Sequence, residues 1–157
     1  LGVAMQITKI ARDILEDAER DRLYVPSTLL DAPVSCEGLT RGDADQRANA
    51  YQGAMRMLDI ADEYYASAAL GYGYLPPSVR QAIKVAARLY QAIGEKVSRN
   101  ETAYWQRRTV VSTERKCLLI AELFVQRMRD GSSTLKVGKY QHAEHLHLAL
   151  DQRRFTA

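Results

Sequence analysis

Apolar positions recur at steps of three and four along nearly the whole chain, and no stretch alternates as a half-buried strand would. In the first segment Ile7, Ile10, Ala11, Ile14, Leu15 and Ala18 fall on one side of a helical wheel. Gln6, Lys9, Asp13 and Asp17 line up on the other. Pro26 and the turn-rich DAPVSCEGLTRGDADQ then predict a connecting loop. A second helix is expected over 47–70, with Met55, Leu58, Ala61 and Tyr65 facing inward. It stops at GYGYLPP, where Gly71 and Gly73 suit a helix end and Pro76 and Pro77 suit the start of the next. The pattern gives a third helix over 78–97, a polar connector over 98–108, and a fourth helix over 113–129 that ends at Gly131. Residues 131–157 carry no strong start or stop signal and are assigned as a tail with a weak helical pattern. The predicted class is all-α, with helices long enough to wall a cavity.

Composition narrows this picture. The 157 residues suit one compact domain, and 46% hydrophobic with 26% charged residues excludes a disordered chain. Cys36 and Cys117 do not make a disulfide framework, so a reducing cytoplasm is the expectation. The most apolar run, CLLIAELFV, is short and carries Glu122, so it cannot span a bilayer. No signal peptide is visible. The chain opens on Leu1 inside a helical pattern, and we expect a fragment or one half of something larger.

A net charge of +3 gives no reason to invoke nucleic acid. The charge is nonetheless uneven. Residues 12–22 hold five acids against three arginines, and residues 99–129 hold seven basic residues against three glutamates. An acidic and a basic patch on one small chain suggest an anion held partly through a metal.

The acidic patch, RDILEDAERDRLYVP, has two readings. Asp13 and Asp17 stand one helical turn apart and could share a hard divalent cation; Mg²⁺ typically takes one or two carboxylates plus phosphate oxygens. Alternatively the run is a solvated face, in which Arg12–Glu16 and Glu16–Arg20 form pairs worth about 0.2–0.5 kcal/mol each. Periodicity accommodates both.

The flanking residues add a resemblance. LGVAMQITKIARDILEDAERDRLYVP resembles the second aspartate-rich motif of the squalene/phytoene synthase family, above all bacterial phytoene synthases. The likeness continues in DEYYASAALGYGYLPPSVRQAIKVAARLYQAIGEKV and in AYWQRRTVVSTERK, covers residues 1–124, and leaves the tail unmatched. It implies an isoprenoid-synthase-type helical fold around a central cavity, with residues 1–130 forming the C-terminal half of the domain and 131–157 a tail. It also implies a head-to-head prenyltransferase of carotenoid biosynthesis, condensing two geranylgeranyl diphosphates to phytoene through a cyclopropyl (prephytoene) diphosphate. In such chemistry a divalent cation steadies the departing diphosphate while an apolar cavity shelters an allylic cation from water.

Carried over residue by residue, the resemblance makes Asp13 a ligand of Mg²⁺, for which Mn²⁺ could substitute. Asp17 completes the acidic motif directly or through water. Gln6 and Arg12 match positions that touch the diphosphate, Tyr90 matches a tyrosine at the substrate site, and Arg108 and Lys116 match the later basic pair. Tyr64 and Tyr65 are read as packing, and His142, His145 and His147 as a solvated tail despite a loosely metal-like spacing.

Three departures from the family pattern stand out. Lys9 occupies the place of an asparagine metal ligand, and an ammonium has no lone pair to donate. Asp21 stands where glycine is common. The family's first aspartate-rich motif belongs to a preceding half that nothing in this chain replaces. The chain alone is therefore expected to be inactive, and to aggregate or pair with that N-terminal half. Two alternatives stay open: a squalene or dehydrosqualene synthase acting on farnesyl diphosphate, and a non-catalytic homologue serving as an assembly partner. The absence of a dinucleotide glycine fingerprint leans towards phytoene. A hydrocarbon product makes peripheral membrane association compatible with the cytoplasmic expectation.

Overall fold

The computed structural model describes residues 1–129 and 144–147, and the described residues contain helices and no strand. Six α-helices follow one another: α1 (Gly2–Ala18), α2 (Cys36–Arg41), α3 (Ala44–Leu70), α4 (Pro77–Arg99), α5 (Glu101–Gln106) and α6 (Thr113–Arg129). The first helix lies against both α3 and α4, and α6 packs on α4. The line Ala4, Thr8, Ala11, Ile14 and Ala18 is buried along α1.

Two segments expected to be irregular are helical. The turn-rich stretch after Pro26 contains α2, begun by Ser35, whose Oγ accepts the Gly38 amide at 3.0 Å, and ended by Gly42 at φ 86°. Asp43 then caps α3, its carboxylate accepting the Gln46 amide at 2.9 Å. The residues that read as loop formers are thus two helix starts and a left-handed stop. Leu39, wholly buried, explains why the short helix forms at all. Likewise the polar connector at 98–108 contains α5, capped by Asn100, whose Oδ1 accepts the Ala103 amide at 2.8 Å.

The second expected helix starts three residues early. It buries Leu58, Ala61 and Tyr65, with Met55 half-buried. Pro77 opens α4 in its first turn, where a missing N–H costs nothing. The main core joins Ala11, Ile14 and Ala18 of α1 to Leu39, Tyr51, Ala54, Met57, Leu58, Val97 and Tyr104. Gly53 sits where a β-carbon would come within 2.9 Å of Leu30, so the segment after Pro26 can cross α3 closely.

On α6, Leu119 is buried with Ala92 and Val111, while Leu118, Ile120, Phe124, Val125 and Met128 are exposed. The weak tail helix falls largely outside the described residues. Within them, Glu144–His147 forms one 3₁₀ turn, where the Tyr64 hydroxyl donates to the Leu146 carbonyl at 3.0 Å. His145 Nε2 stands 3.5 Å from Glu63, and His142 lies outside the described residues. Both cysteines are free, and no helix among the described residues is long and apolar enough to cross a membrane.

Candidate active site

The first helix is broken at Asp13, which has φ −102° and ψ 15° in the middle of otherwise helical backbone. Asp13 is 6% exposed, although the wheel had set it on the polar side. A wheel assumes regular steps, and the break takes this residue off that line. A buried carboxylate requires compensation, and Arg12 provides it as a two-pronged clamp: Nε donates to Oδ1 at 2.6 Å and an Nη to Oδ2 at 2.7 Å. The hydrogen bond from Arg12 to Asp13 in turn holds the guanidinium pKa above its ordinary value.

A second guanidinium arrives from far along the chain. Arg108 Nε stands 3.5 Å from Asp13 Oδ1 and 3.4 Å from Glu16 Oε1. The helical pairs that the solvated-face reading offered Glu16 do not form. Arg12 turns to Asp13, Arg20 donates to the Glu16 backbone carbonyl at 2.9 Å, and the Glu16 carboxylate faces Arg108. Glu16 was thus missed as part of the site. No spacing in the sequence joins Glu16 to Arg108, because the two lie far apart along the described chain.

Tyr104 was missed as well, being an aromatic inside an apparently polar connector. Its hydroxyl donates to the Ala11 carbonyl at 2.7 Å, just past the middle of α1 and two residues before Asp13. Burial pushes this phenol's pKa well up, so it stays a neutral donor.

The other expected site residues are less closely joined. Asp17 is half-buried, and no ion pair or side-chain hydrogen bond reaches its carboxylate among the described residues. Its backbone carbonyl accepts the Arg20 amide at 3.0 Å and the Arg22 amide at 2.9 Å, closing the helix end. Asp21 holds the left-handed position there at φ 56°, which accounts for the glycine common at that place in the family. Tyr90 is half-buried against the cluster of Ala4, Ala61, Tyr65 and Ala87. Gln6, Lys9 and Lys116 are exposed, and no ion pair or side-chain hydrogen bond joins them to Asp13 among the described residues. Tyr65 behaves as expected of a packing residue, buried with its hydroxyl 3.1 Å from Thr8.

Two cavities open between α3 and α4. One of about 430 Å³ is lined by Tyr65, Tyr72, Arg80, Lys84 and, from α6, Leu123. The other, about 570 Å³, is lined by Thr8, Asp59, Asp62, Arg88 and Glu95. Asp13 and Asp17 line neither.

No group of three or more acidic, histidine or cysteine side chains among the described residues could hold a metal ion alone. Asp13 and Asp17 still offer hard oxygens one turn apart. That set fits a divalent cation shared with phosphate oxygens, which would also draw the two guanidiniums off Asp13, and does not fit a cation held by protein alone. Lys9, exposed at one turn before Asp13, supplies no ligand.

Comparison with known proteins bears on the family of the chain as a whole. Residues 1–115 match the family described as squalene/phytoene synthase. The chain is 40% identical over 123 residues to a 15-cis-phytoene synthase of Enterobacter agglomerans, covering 76% of this chain and 40% of that protein. It is 38% identical over 121 residues to a phytoene synthase of Pseudescherichia vulneris, covering 76% and 38%. To a 15-cis-phytoene synthase of Pantoea ananas it is 35% identical over 136 residues, covering 82% and 43%. The chain thus spans about two fifths of the length of these curated relatives. No solved structure matches it. A buried aspartate at a break in the first helix, clamped by guanidiniums from both ends of the matched region, therefore sits in a chain that belongs to the squalene/phytoene synthase family.

Proposed function

We propose that this chain supplies the C-terminal half of a phytoene synthase, residues 1–130 forming that half and 131–157 a separate tail. The substrate would be geranylgeranyl diphosphate, two molecules of which are joined head to head. The observation that carries the reading is the Asp13 cluster: a buried carboxylate held by arginines that are themselves suited to diphosphate.

In this reading Asp13 and Asp17 hold Mg²⁺, or Mn²⁺ in its place, together with diphosphate oxygens. The bound cation supplies charge neutralisation for the leaving diphosphate. Arg12 and Arg108 rest on Asp13 while the site is empty of substrate, and exchange that carboxylate for phosphate oxygens when diphosphate enters. Lys116, exposed and unpaired among the described residues, adds a point charge from the first turn of α6. Tyr90 and Gln6 border the same substrate, and the upstream half carries the opposing acidic motif and the rest of the cavity wall. The protein works in the cytoplasm, in peripheral contact with the membrane that receives the hydrocarbon.

One observation favours a second reading. Lys9 in place of a ligand suits a non-catalytic homologue that pairs with another subunit. The test joins the chain to an upstream half carrying the first aspartate-rich motif. Product formation is then measured from geranylgeranyl and farnesyl diphosphates with each metal, in the native sequence and in Lys9→Asn and Asp13→Asn variants. Phytoene from the native or the Lys9→Asn protein, reduced at least 100-fold in Asp13→Asn, is the expected outcome. A joined protein that folds yet makes no product with either residue at position 9 refutes the enzyme reading, and product from farnesyl diphosphate alone moves the assignment to squalene-type synthesis.

A further inference from the structure

The break at Asp13 has a physical partner. In a regular helix the Ala11 carbonyl faces the Leu15 amide, and here the same carbonyl accepts the Tyr104 hydroxyl at 2.7 Å from α5. Side chains inserted into a helical ladder are a recognised cause of kinks, and Asp13 lies inside the turn so disturbed. The phenol ring is held in place: it is 6% exposed, its centroid 5.4 Å from that of Tyr51 and 4.8 Å from that of Trp105. The Trp105 ring is itself covered by the Arg47 guanidinium at 5.3 Å. Arg108 follows α5 by two residues, so the helix that delivers the hydroxyl also sets where that guanidinium begins its reach to Asp13.

We propose that Tyr104 is a positioning residue: its hydroxyl, wedged against the Ala11 carbonyl, holds the break in α1 that seats Asp13 among its arginines and registers Arg108 against it. The functional part of this inference rests on the reading of Asp13 as a ligand for a cation shared with diphosphate; the structural part does not. The same reach across 93 residues ties the two matched segments together without belonging to either acidic or basic motif.

A matched control exists within the same aromatic cluster. The Tyr51 hydroxyl also donates to a buried backbone carbonyl, that of Val97, at 3.0 Å. Tyr104→Phe and Tyr51→Phe each remove one such bond and keep the ring, so each costs about the same stability. Two quantities are measured in the full chain: the backbone ¹³C shifts of Asp13, which report its φ and ψ, and the affinity for Mn²⁺ with inorganic pyrophosphate by electron paramagnetic resonance. In Tyr104→Phe the Asp13 shifts move towards helical values and the affinity falls about tenfold, the low end of the range for losing a partner that orients a ligand. Tyr51→Phe does neither. Unmoved Asp13 shifts in Tyr104→Phe, or equal effects in both variants, overturn the inference. If the unsubstituted protein binds no Mn²⁺–pyrophosphate, the metal reading fails and the shift comparison alone decides the role of Tyr104. If Tyr104→Phe does not fold, 3-fluorotyrosine at 104 must move the Ala11 carbonyl shift, and no movement overturns the inference.

Discussion

DILED at 13–17 and DIADE at 59–63 are nearly the same five letters, both inside helices, and the fold treats them in opposite ways. Asp13 is buried with Arg12 on both of its oxygens and Arg108 beside it. Asp59 and Asp62 stand at the edge of the 570 Å³ cavity with Glu95, and the guanidinium there, Arg88, is bound to Glu95 at 2.6 Å. Partial burial, with the like charges of Asp59 and Glu95, raises the Asp62 pKa above its ordinary 3.8. The contrast shows that carboxylate spacing confers no role. A carboxylate becomes a built feature when cations are delivered to it and held, as α5 and the residues after it deliver Arg108.

The contrast breaks most sharply at Asp13 itself. Asp13→Ala leaves the Arg12 guanidinium, whose side chain is only 14% exposed, without its partner. Unfolding in urea should show a loss of about 3 kcal/mol, at the lower edge of what breaking a buried pair costs. Asp59→Ala, on the solvated run, should stay within about 0.5 kcal/mol. Equal effects would erase the distinction between the runs.

A smaller effect is expected at Arg108, whose side chain is 48% exposed. Arg108→Ala should cost about 0.5–1 kcal/mol at low salt and less at 1 M salt, because solvent screens so open a pair. Combining it with Glu16→Ala should cost less than the two single losses together. Strict additivity would mean that Arg108 does not engage Glu16 in solution.

The smallest effect belongs to the second run. Since the folded-state pKa of Asp62 is raised, the fold holds that proton more tightly than the unfolded chain does. The associated stability is fully present below the ordinary value of 3.8 and is lost as pH rises through the folded value. Asp62→Asn, which keeps the uncharged state at all pH values, should therefore raise the melting temperature by about 1–2 °C at neutral pH, the scale of a change under about 0.5 kcal/mol. The gain should vanish in acid. A gain that persists below the ordinary range would point to some cause other than ionisation.

Much of this molecule could be read from one line of letters. The recurrence of Ile7, Ala11, Ile14 and Ala18, the prolines at the start of α4 and the glycine-rich stop of α3 set the helical class and most boundaries, because local propensity and one-sided burial act over a few residues. The motif around Asp13 carried the family likeness for the same reason. Reading failed where one residue type serves two purposes. Ser35, Gly42, Asp43 and Asn100 look like loop formers and are helix ends, since the chemistry that favours turns also satisfies terminal amides.

The letters set Asp13 on the polar side of the wheel, whereas the fold buries it, and left open whom Glu16 would face. Both matters were settled by two contacts across most of the chain, Tyr104 on Ala11 and Arg108 on the Asp13–Glu16 pair. Periodicity records only what neighbours one turn apart can do. A kink and an ion pair made by residues more than ninety positions away exist only once packing of the core has brought α5 against α1.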